Sequence, residues 1–155
     1  MGATTRKILG VLLTGVLFVP IGNARFANPA DLLVPNRARQ LVAHARWQMS
    51  VTKTYAPAYV KLKYPGGDPP METGVCSDVI IRALRSTDVD LQPLIYEDRR
   101  ANFAAYRRHY TNRPDRNIDH RRVLNMEVYN GRQKLKLPAS QTAADYRTGA
   151  YVAWN

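Results

Sequence analysis

Proline and glycine are concentrated in one internal segment of this sequence. Residues 54–70 contain four prolines, two glycines and three tyrosines. Proline fixes φ and removes a backbone donor, and glycine adds conformational freedom, so neither a helix nor a central strand tolerates this density of both. We therefore predict a long loop here, with space for a short strand at residues 60–62. Regular structure must form on either side of this loop.

Helical patterns flank the loop. Apolar residues at spacings of three and four predict an amphipathic helix over residues 36–49. A second helix is predicted to begin at Cys76, with its two arginines outside the apolar stripe. A third helix is expected over residues 98–110, and a short helix or turn near residues 125–131.

Strand patterns come late in the chain. Residues 134–137 alternate like an edge strand, and residues 150–154 have the composition of a buried strand. Helices followed by strands indicate an α+β fold. A strand as the last element has few partners to pair with, so the sheet is expected to be incomplete at its C-terminal side.

The first 24 residues have the pattern of a secretory signal peptide. A basic start precedes the uncharged residues 8–21, and cleavage is expected after Ala24. The alternative is a membrane anchor, but this stretch is shorter than the roughly 20 residues that span a bilayer and contains glycine and proline. We expect residues 25–35 to be a linker, residues 36–155 to form one domain, and the protein to be periplasmic or secreted, without a stable membrane anchor.

The chain is strongly basic, with a formal net charge of +11 at pH 7. An exported basic protein suits an anionic partner of the envelope, such as peptidoglycan or another anionic polymer, and the export signal argues against nucleic acid. The alternative is a solvated surface that aids solubility. The loop side chains Tyr55, Tyr59, Tyr64 and Asp68 are candidates for binding substrate, although the tyrosines could instead cover the core.

Cys76 is the single cysteine of the chain. It cannot form an internal disulfide, so it is either a buried, inert residue or a free thiol. The start of a helix offers unpaired backbone N–H groups and the positive end of the helix dipole, and both favour thiolate over thiol. Cys76 is therefore a candidate nucleophile.

A thiol nucleophile needs a histidine and a polar group that orients it. His44 and His109 lie in predicted helices and are interpreted as structural. His120 is the best candidate, although Asp119 would point away from it in an extended segment. The further candidates at this site are Asp119, Arg121 and Asp78.

Other chemistries have little support in the sequence. With one cysteine and scattered histidines, no metal-ligand cluster has usable spacing, and we expect no metal or other cofactor. Paired carboxylates for glycoside cleavage stay open, because acidic residues far apart in sequence could converge in space. The carboxylates concerned are Asp68, Glu72, Asp98 and Asp119.

Three motifs resemble a known bacterial family. Residues 64–68 (YPGGD), 74–85 (GVCSDVIIRALR) and 113–123 (RPDRNIDHRRV) are similar to the envelope family called domain of unknown function 1287, over roughly residues 36–155. That family is related to the NlpC-type branch of papain-like cysteine peptidases, many of which cut peptide bonds in peptidoglycan. The resemblance implies a papain-like NlpC-type fold, with N-terminal helices followed by an antiparallel sheet, and Cys76 as the nucleophile.

The sequence also departs from the family pattern. Ala150 replaces a usual aspartate, Leu124 stands where proline is expected, and the chain ends at Asn155, before the strand that would carry the catalytic histidine. The resemblance therefore predicts a C-terminally truncated cysteine hydrolase that is inactive or impaired. The alternatives are a non-enzymatic protein that binds cell-wall polymer or a partner, and the product of an interrupted reading frame.

Overall fold

The computed structural model of the protein describes residues 35–106 and 112–153. The α-helices of this part are α1 (Pro35–Val51), α2 (Cys76–Arg85), α3 (Leu91–Ala101) and α4 (Val123–Arg132). Two short strands, β1 (Thr54–Tyr55) and β2 (Thr73–Gly74), pair in parallel, with Thr54 opposite Thr73. Turns of 3₁₀ helix occur at Phe103–Ala105, Asp119–Arg121 and Ala143–Asp145. The described structure is therefore mostly helical.

The two helices next to the loop were predicted correctly. α1 covers the predicted residues 36–49, and α2 begins at Cys76 as expected. The third helix begins seven residues earlier than predicted, because the side chain of Asp90 accepts a hydrogen bond from the Gln92 N–H at 3.0 Å and so caps α3 at this point. The predicted signal peptide, most of the predicted linker and His109 lie outside the described residues.

The expected α+β fold of papain-like NlpC type, with an antiparallel sheet, is wrong. The sheet in the described residues is a parallel pair with two residues per strand. No strand forms at residues 60–62, 134–137 or 150–153, and Leu137 is exposed. A strand forms only where another strand accepts its backbone hydrogen bonds, and the described part of the chain offers these segments no such partner.

The hydrophobic core lies between the four helices. α2 contributes one apolar face to it and packs against α1 and α3, whereas α4 packs against α3 and the 3₁₀ turn Asp119–Arg121. A helix of ten residues with this much buried surface is stabilised by tertiary packing rather than by its own propensity. The buried apolar residues are Leu41, Ile81, Ala83, Leu84, Val89, Leu91, Ile95, Tyr106, Met126 and Tyr129. None of the described helices is both long and apolar enough to cross a membrane.

The proline-rich loop is bound to α2 by a buried arginine. Arg82 was expected outside the apolar stripe, but its side chain is 2% exposed and forms an ion pair with Asp68 at 2.7 Å. Its guanidinium also donates to the carbonyl oxygens of Pro69 at 3.2 Å and Thr73 at 2.9 Å. Proline offers a carbonyl but no N–H, so a side chain that only donates is a suitable partner for such a loop.

The glycine pair in the loop is held by the start of α3. The N–H of Gly66 donates to Asp90 Oδ2 at 2.8 Å, and the N–H of Gly67 donates to Gln92 Oε1 at 2.9 Å. A Cβ atom on Gly67 would lie 2.0 Å from the carbonyl oxygen of Lys63, and Gly66 has a φ of 76°. Both positions therefore require glycine.

Replacing Arg82 with glutamine should lower the free energy of unfolding. The change removes the cation beside Asp68 and leaves several loop carbonyls without a donor, so we expect a loss of about 3 kcal/mol in urea denaturation. Arg100→Gln is the matched control, because Arg100 forms an exposed ion pair with Glu97 at 3.4 Å, and it should change stability by less than about 0.5 kcal/mol. Equal, small effects of the two substitutions would show that Arg82 does not anchor the loop.

A candidate thiol site at the start of helix α2

Cys76 is the first residue of α2, and its side chain is exposed. The residue before it, Val75, is extended and forms the N-cap. Asp78 stabilises this start, because its Oδ2 accepts a hydrogen bond from the Val75 N–H at 2.7 Å and its own N–H donates to the Val75 carbonyl at 3.0 Å. The thiol is therefore fixed at the positive end of a well-formed helix and is open to solvent.

The thiol lies in a small cleft of about 220 Å³. The start of α2 forms one side of it, and the 3₁₀ turn before α4 and the strand β1 supply the rest. Two arginines give this cleft a cationic lining. Its lining residues are Tyr55, Pro57, Val75, Cys76, Ser77, Ile118, Arg121 and Arg122.

A buried ion pair joins the turn before α4 to the start of α2. Arg121 donates from Nε to Asp78 Oδ1 at 2.8 Å and from Nη2 to Asp78 Oδ2 at 2.9 Å. Both side chains are almost fully buried, at 2% and 1% exposure. The Ser77 hydroxyl also donates to the Arg121 carbonyl at 2.7 Å. The structure thus brings three of the predicted site residues together: Cys76, Asp78 and Arg121.

Asp119 lies in the interior rather than in the cleft. One of its carboxylate oxygens forms an ion pair with Arg99 of α3, and the other accepts the Asp115 N–H at 2.7 Å. Burial raises the pKa of this carboxyl, against the lowering effect of the Asp115 N–H and of Arg99. The Asp119 carboxylate therefore links α3 to the segment that contains Asp115, and its role is structural.

His120 is also buried, with 1% of its surface exposed, and it does not line the cleft. Burial, followed by the positive charges of Arg85 and Arg121, lowers its pKa to about 3. Its Nδ1 has no hydrogen-bond partner among the described residues. A neutral, interior imidazole of this kind cannot form an ion pair with a thiolate at Cys76, so the described part of the cleft contains a thiol without a histidine.

The loop residues proposed to bind substrate are dispersed. Tyr55 lines the cleft and is 72% exposed. Tyr59 is exposed and donates to Asp115 at 3.0 Å, whereas the hydroxyl of Tyr64 donates to Glu97 at 3.1 Å. Asp68 is committed to Arg82. Of these four candidates, only Tyr55 is placed where it can contact a ligand beside the thiol.

Several lining residues were missed in the sequence. Ser77, Ile118 and Arg122 face the cleft, and nothing in their local pattern separates them from ordinary core or surface positions. The one available signal was that all three lie inside the motifs at residues 74–85 and 113–123. A motif therefore marked the segments that meet at the site, but not the side chains that line it.

The described residues contain no group of histidine, cysteine, aspartate and glutamate side chains suited to a metal ion. Three of the four carboxylates considered for glycoside cleavage are bound to different arginines. Asp68 pairs with Arg82, and Asp119 pairs with Arg99. Asp98 pairs with Arg132 at 2.8 Å. The thiol cleft is thus the chemically most distinctive feature of the described structure.

These observations define a small helical domain with a thiol cleft at a helix start. Residues 42–155 match the family described as "Domain of unknown function (DUF1287)", and the chain belongs to this family. The predicted membership is thereby confirmed. The chain is also similar to the protein named "Uncharacterized protein YijF" of Escherichia coli (strain K12), with 54% identity over 111 residues. The match covers 71% of this chain and 54% of YijF, so the chain spans about half the length of that relative. No solved structure matches the chain, so the papain-like expectation gains no support from a structural relative.

Replacing His120 with glutamine should flatten the pH dependence of stability in mild acid. The pKa of His120 is about 3 in the folded protein and near 6.5 when unfolded. Between these two pKa values only the unfolded chain binds the proton. The free energy of unfolding is therefore highest above pH 6.5 and falls as the pH decreases towards 3, by about 1.4 kcal/mol per pH unit.

The measurement is urea denaturation of both proteins at pH 6.5, 6.0, 5.5 and 5.0. The wild-type protein should lose about 1 to 2 kcal/mol more than the variant across this range. The comparison uses only the slope of the free energy of unfolding against pH, because the substitution itself destabilises the core. Identical slopes would show that His120 is not held neutral by its surroundings.

Proposed function

We propose that the protein comes from a lineage of cysteine hydrolases of the peptidase or amidase class that act on cell-wall peptide. In this chain Cys76 still reacts with carbonyl groups, but the hydrolase activity is lost or impaired. The observation that carries this proposal is the exposed thiol at the first residue of α2, inside a cleft with two arginines. The resemblance of three motifs to relatives of the NlpC-type cysteine peptidases supports it, and so does the pattern of an export signal over residues 1–24.

The chemistry follows from the position of the sulfur. The Cys76 thiolate attacks the carbonyl carbon, a carbon–sulfur bond forms, and the carbonyl electrons move to oxygen. The N–H groups of the first turn of α2 stabilise the developing oxyanion, because the positive end of the helix dipole lies there. When the carbonyl reforms, the bond to the leaving group breaks, and that group departs with the electron pair. An amine leaving group also needs a proton from a general acid.

The described cleft supplies the nucleophile but no imidazole to serve as acid or base. A good leaving group such as p-nitrophenolate departs without a proton, whereas an amine does not. We therefore expect this chain to form an acyl-thioester with activated esters and to be very slow at releasing it or at cutting an amide. On this basis, cleavage of intact peptidoglycan by the chain should be below detection.

The test is acylation by the p-nitrophenyl ester of an N-acetylated alanyl peptide. Mass spectrometry should show one acyl group on Cys76, formed with the release of one equivalent of p-nitrophenolate and then retained. Cys76→Ser is the matched control and should release p-nitrophenolate only at the background rate. The same chain unfolded in urea reports the reactivity of an ordinary cysteine.

Acylation of the folded chain should be at least several-fold faster than acylation of the unfolded chain. An equal or slower rate in the folded protein would contradict a nucleophilic role for Cys76. Release of peptide fragments from peptidoglycan that is lost in Cys76→Ala would contradict the expected inability to cut amides and would point to a base that the described cleft does not contain.

A second candidate function is non-enzymatic binding of an anionic cell-wall polymer. The specific observation in its favour is the exposure of Tyr55 in a cleft that two arginines line, in a chain with a net charge of +11. Tyrosine rings offer apolar area and a hydroxyl to sugars and peptides, and the charge attracts the polymer.

The full chain should then bind isolated cell wall, and binding should fall strongly between low salt and about 1 M NaCl because exposed charges are screened. Cys76→Ala should bind as well as the wild type, and Tyr55→Ala should bind less well. Sedimentation with purified wall measures each. Binding that is unaffected by salt and by Tyr55→Ala would exclude this candidate.

A further inference from the structure

We propose that Arg121 and the first turn of α2 form a subsite for one carboxylate group of the ligand, directly beside Cys76. This inference deepens the proposed function, because it concerns the same cleft and names the chemical group that the cleft recognises. Two independent features of the described residues support it, namely an unpartnered buried guanidinium nitrogen and the start of a helix.

The first feature is the unused end of the Arg121 guanidinium. Its Nε and Nη2 donate to Asp78 along one edge of the planar group. Nη1 lies at the other end, is buried, and has no hydrogen-bond partner among the described residues. Arg121 lines the cleft although its side chain is only 2% exposed. A buried donor of this kind is unfavourable unless a ligand or water accepts from it.

The second feature is the start of α2. Cys76 and Ser77 are its first two residues, and both line the cleft. The first N–H groups of a helix have no acceptor within the helix and lie at the positive end of its dipole, which is a favourable place for an anion. The Asp78 ion pair fixes the guanidinium against this same turn, so the two sets of donors serve one site.

The balance of charge favours a carboxylate over a phosphate. The carboxylate of Asp78 already neutralises Arg121, so the subsite offers several N–H donors with little excess positive charge from this pair. Arg122 also lines the cleft, so Asp78, Arg121 and Arg122 together carry one net positive charge. A monoanion matches this charge, whereas a dianion would exceed it. The cleft, at about 220 Å³, also suits a small group. The expected ligand is therefore a peptide with a free carboxylate next to the carbonyl that Cys76 attacks.

The experiment compares two alkylating reagents that differ in charge. Iodoacetate and iodoacetamide react at the same sulfur: a carbon–sulfur bond forms, the carbon–iodine bond breaks, iodide leaves with the electron pair, and the thiol proton goes to solvent. The measured quantity is the ratio of their rate constants at Cys76. We expect this ratio to be about tenfold higher in the folded chain than in the same chain unfolded in urea, which carries the same net charge.

Two substitutions separate the subsite from general charge. Arg121→Lys keeps a cation beside Asp78 but removes the Nη1 donor, and it should return the ratio to within about twofold of the unfolded value. Arg100→Gln removes an exposed charge on α3 and should leave the ratio unchanged. An equal fall in both variants would overturn the proposal in favour of general electrostatic attraction.

A measurement on the wild-type chain keeps the proposal testable if Arg121→Lys does not fold. N-acetylalanine should protect Cys76 from iodoacetamide, and N-acetylalaninamide, which lacks the carboxylate, should not. N-acetylglutamate α-amide shows whether a side-chain carboxylate is accepted in place of a terminal one, and protection by either acid supports the subsite. Inorganic phosphate that protects better than both acids, or equal protection by the amide, would overturn it.

The two proposals fail in different ways. Loss of ester acylation with an intact preference for iodoacetate would exclude the hydrolase chemistry and retain the carboxylate subsite. Stoichiometric acylation without any preference for iodoacetate would exclude the subsite and retain Cys76 as the nucleophile.

Discussion

The buried guanidinium of Arg82 is the contact on which the rest of the structure depends. It lies on α2, forms an ion pair with Asp68 and donates hydrogen bonds to several backbone carbonyls of the proline-rich loop. This contact keeps the loop against the helix whose first residue is Cys76. Arg121 acts in the same way at the start of α2, where it binds Asp78. The position of the thiol is therefore fixed by two buried arginines, one on α2 itself and one in the turn before α4.

Local signals in the sequence predicted α1 and α2 well, but they placed α3 too late in the chain and gave little information on the long-range contacts. The starts of α1 and α2 followed from helix-capping patterns and apolar spacing, which act over a few residues. Arg82 was expected in solvent, because its partner lies 14 positions away in a loop without periodicity. The antiparallel sheet was wrong for a related reason: alternation within residues 134–137 says nothing about whether a neighbouring strand exists.

The candidate site was predicted in part. Cys76, Asp78 and Arg121 were all named from the sequence, but the ion pair between the last two joins residues 43 positions apart and could not be derived from either motif. His120 was chosen because a carboxylate and two arginines adjoin it in sequence. In the structure the neighbouring Arg121 helps to lower its pKa to about 3, and Asp119 binds Arg99. Adjacency along the chain was a poor guide here because the 3₁₀ turn directs these side chains to different partners.

The parallel pair of β1 and β2 indicates where the chain can tolerate insertions. Backbone hydrogen bonds from Lys53 to Glu72 at 2.9 Å and from Ala56 to Gly74 at 3.0 Å close the intervening segment into a loop. Arg82 and the glycine pair hold its second half, whereas residues 58, 59 and 61 are exposed. Extra residues inserted at that exposed tip would lengthen a loop whose ends are already joined, at a small entropic cost. The thiol cleft can thus keep its geometry while the tip varies in length.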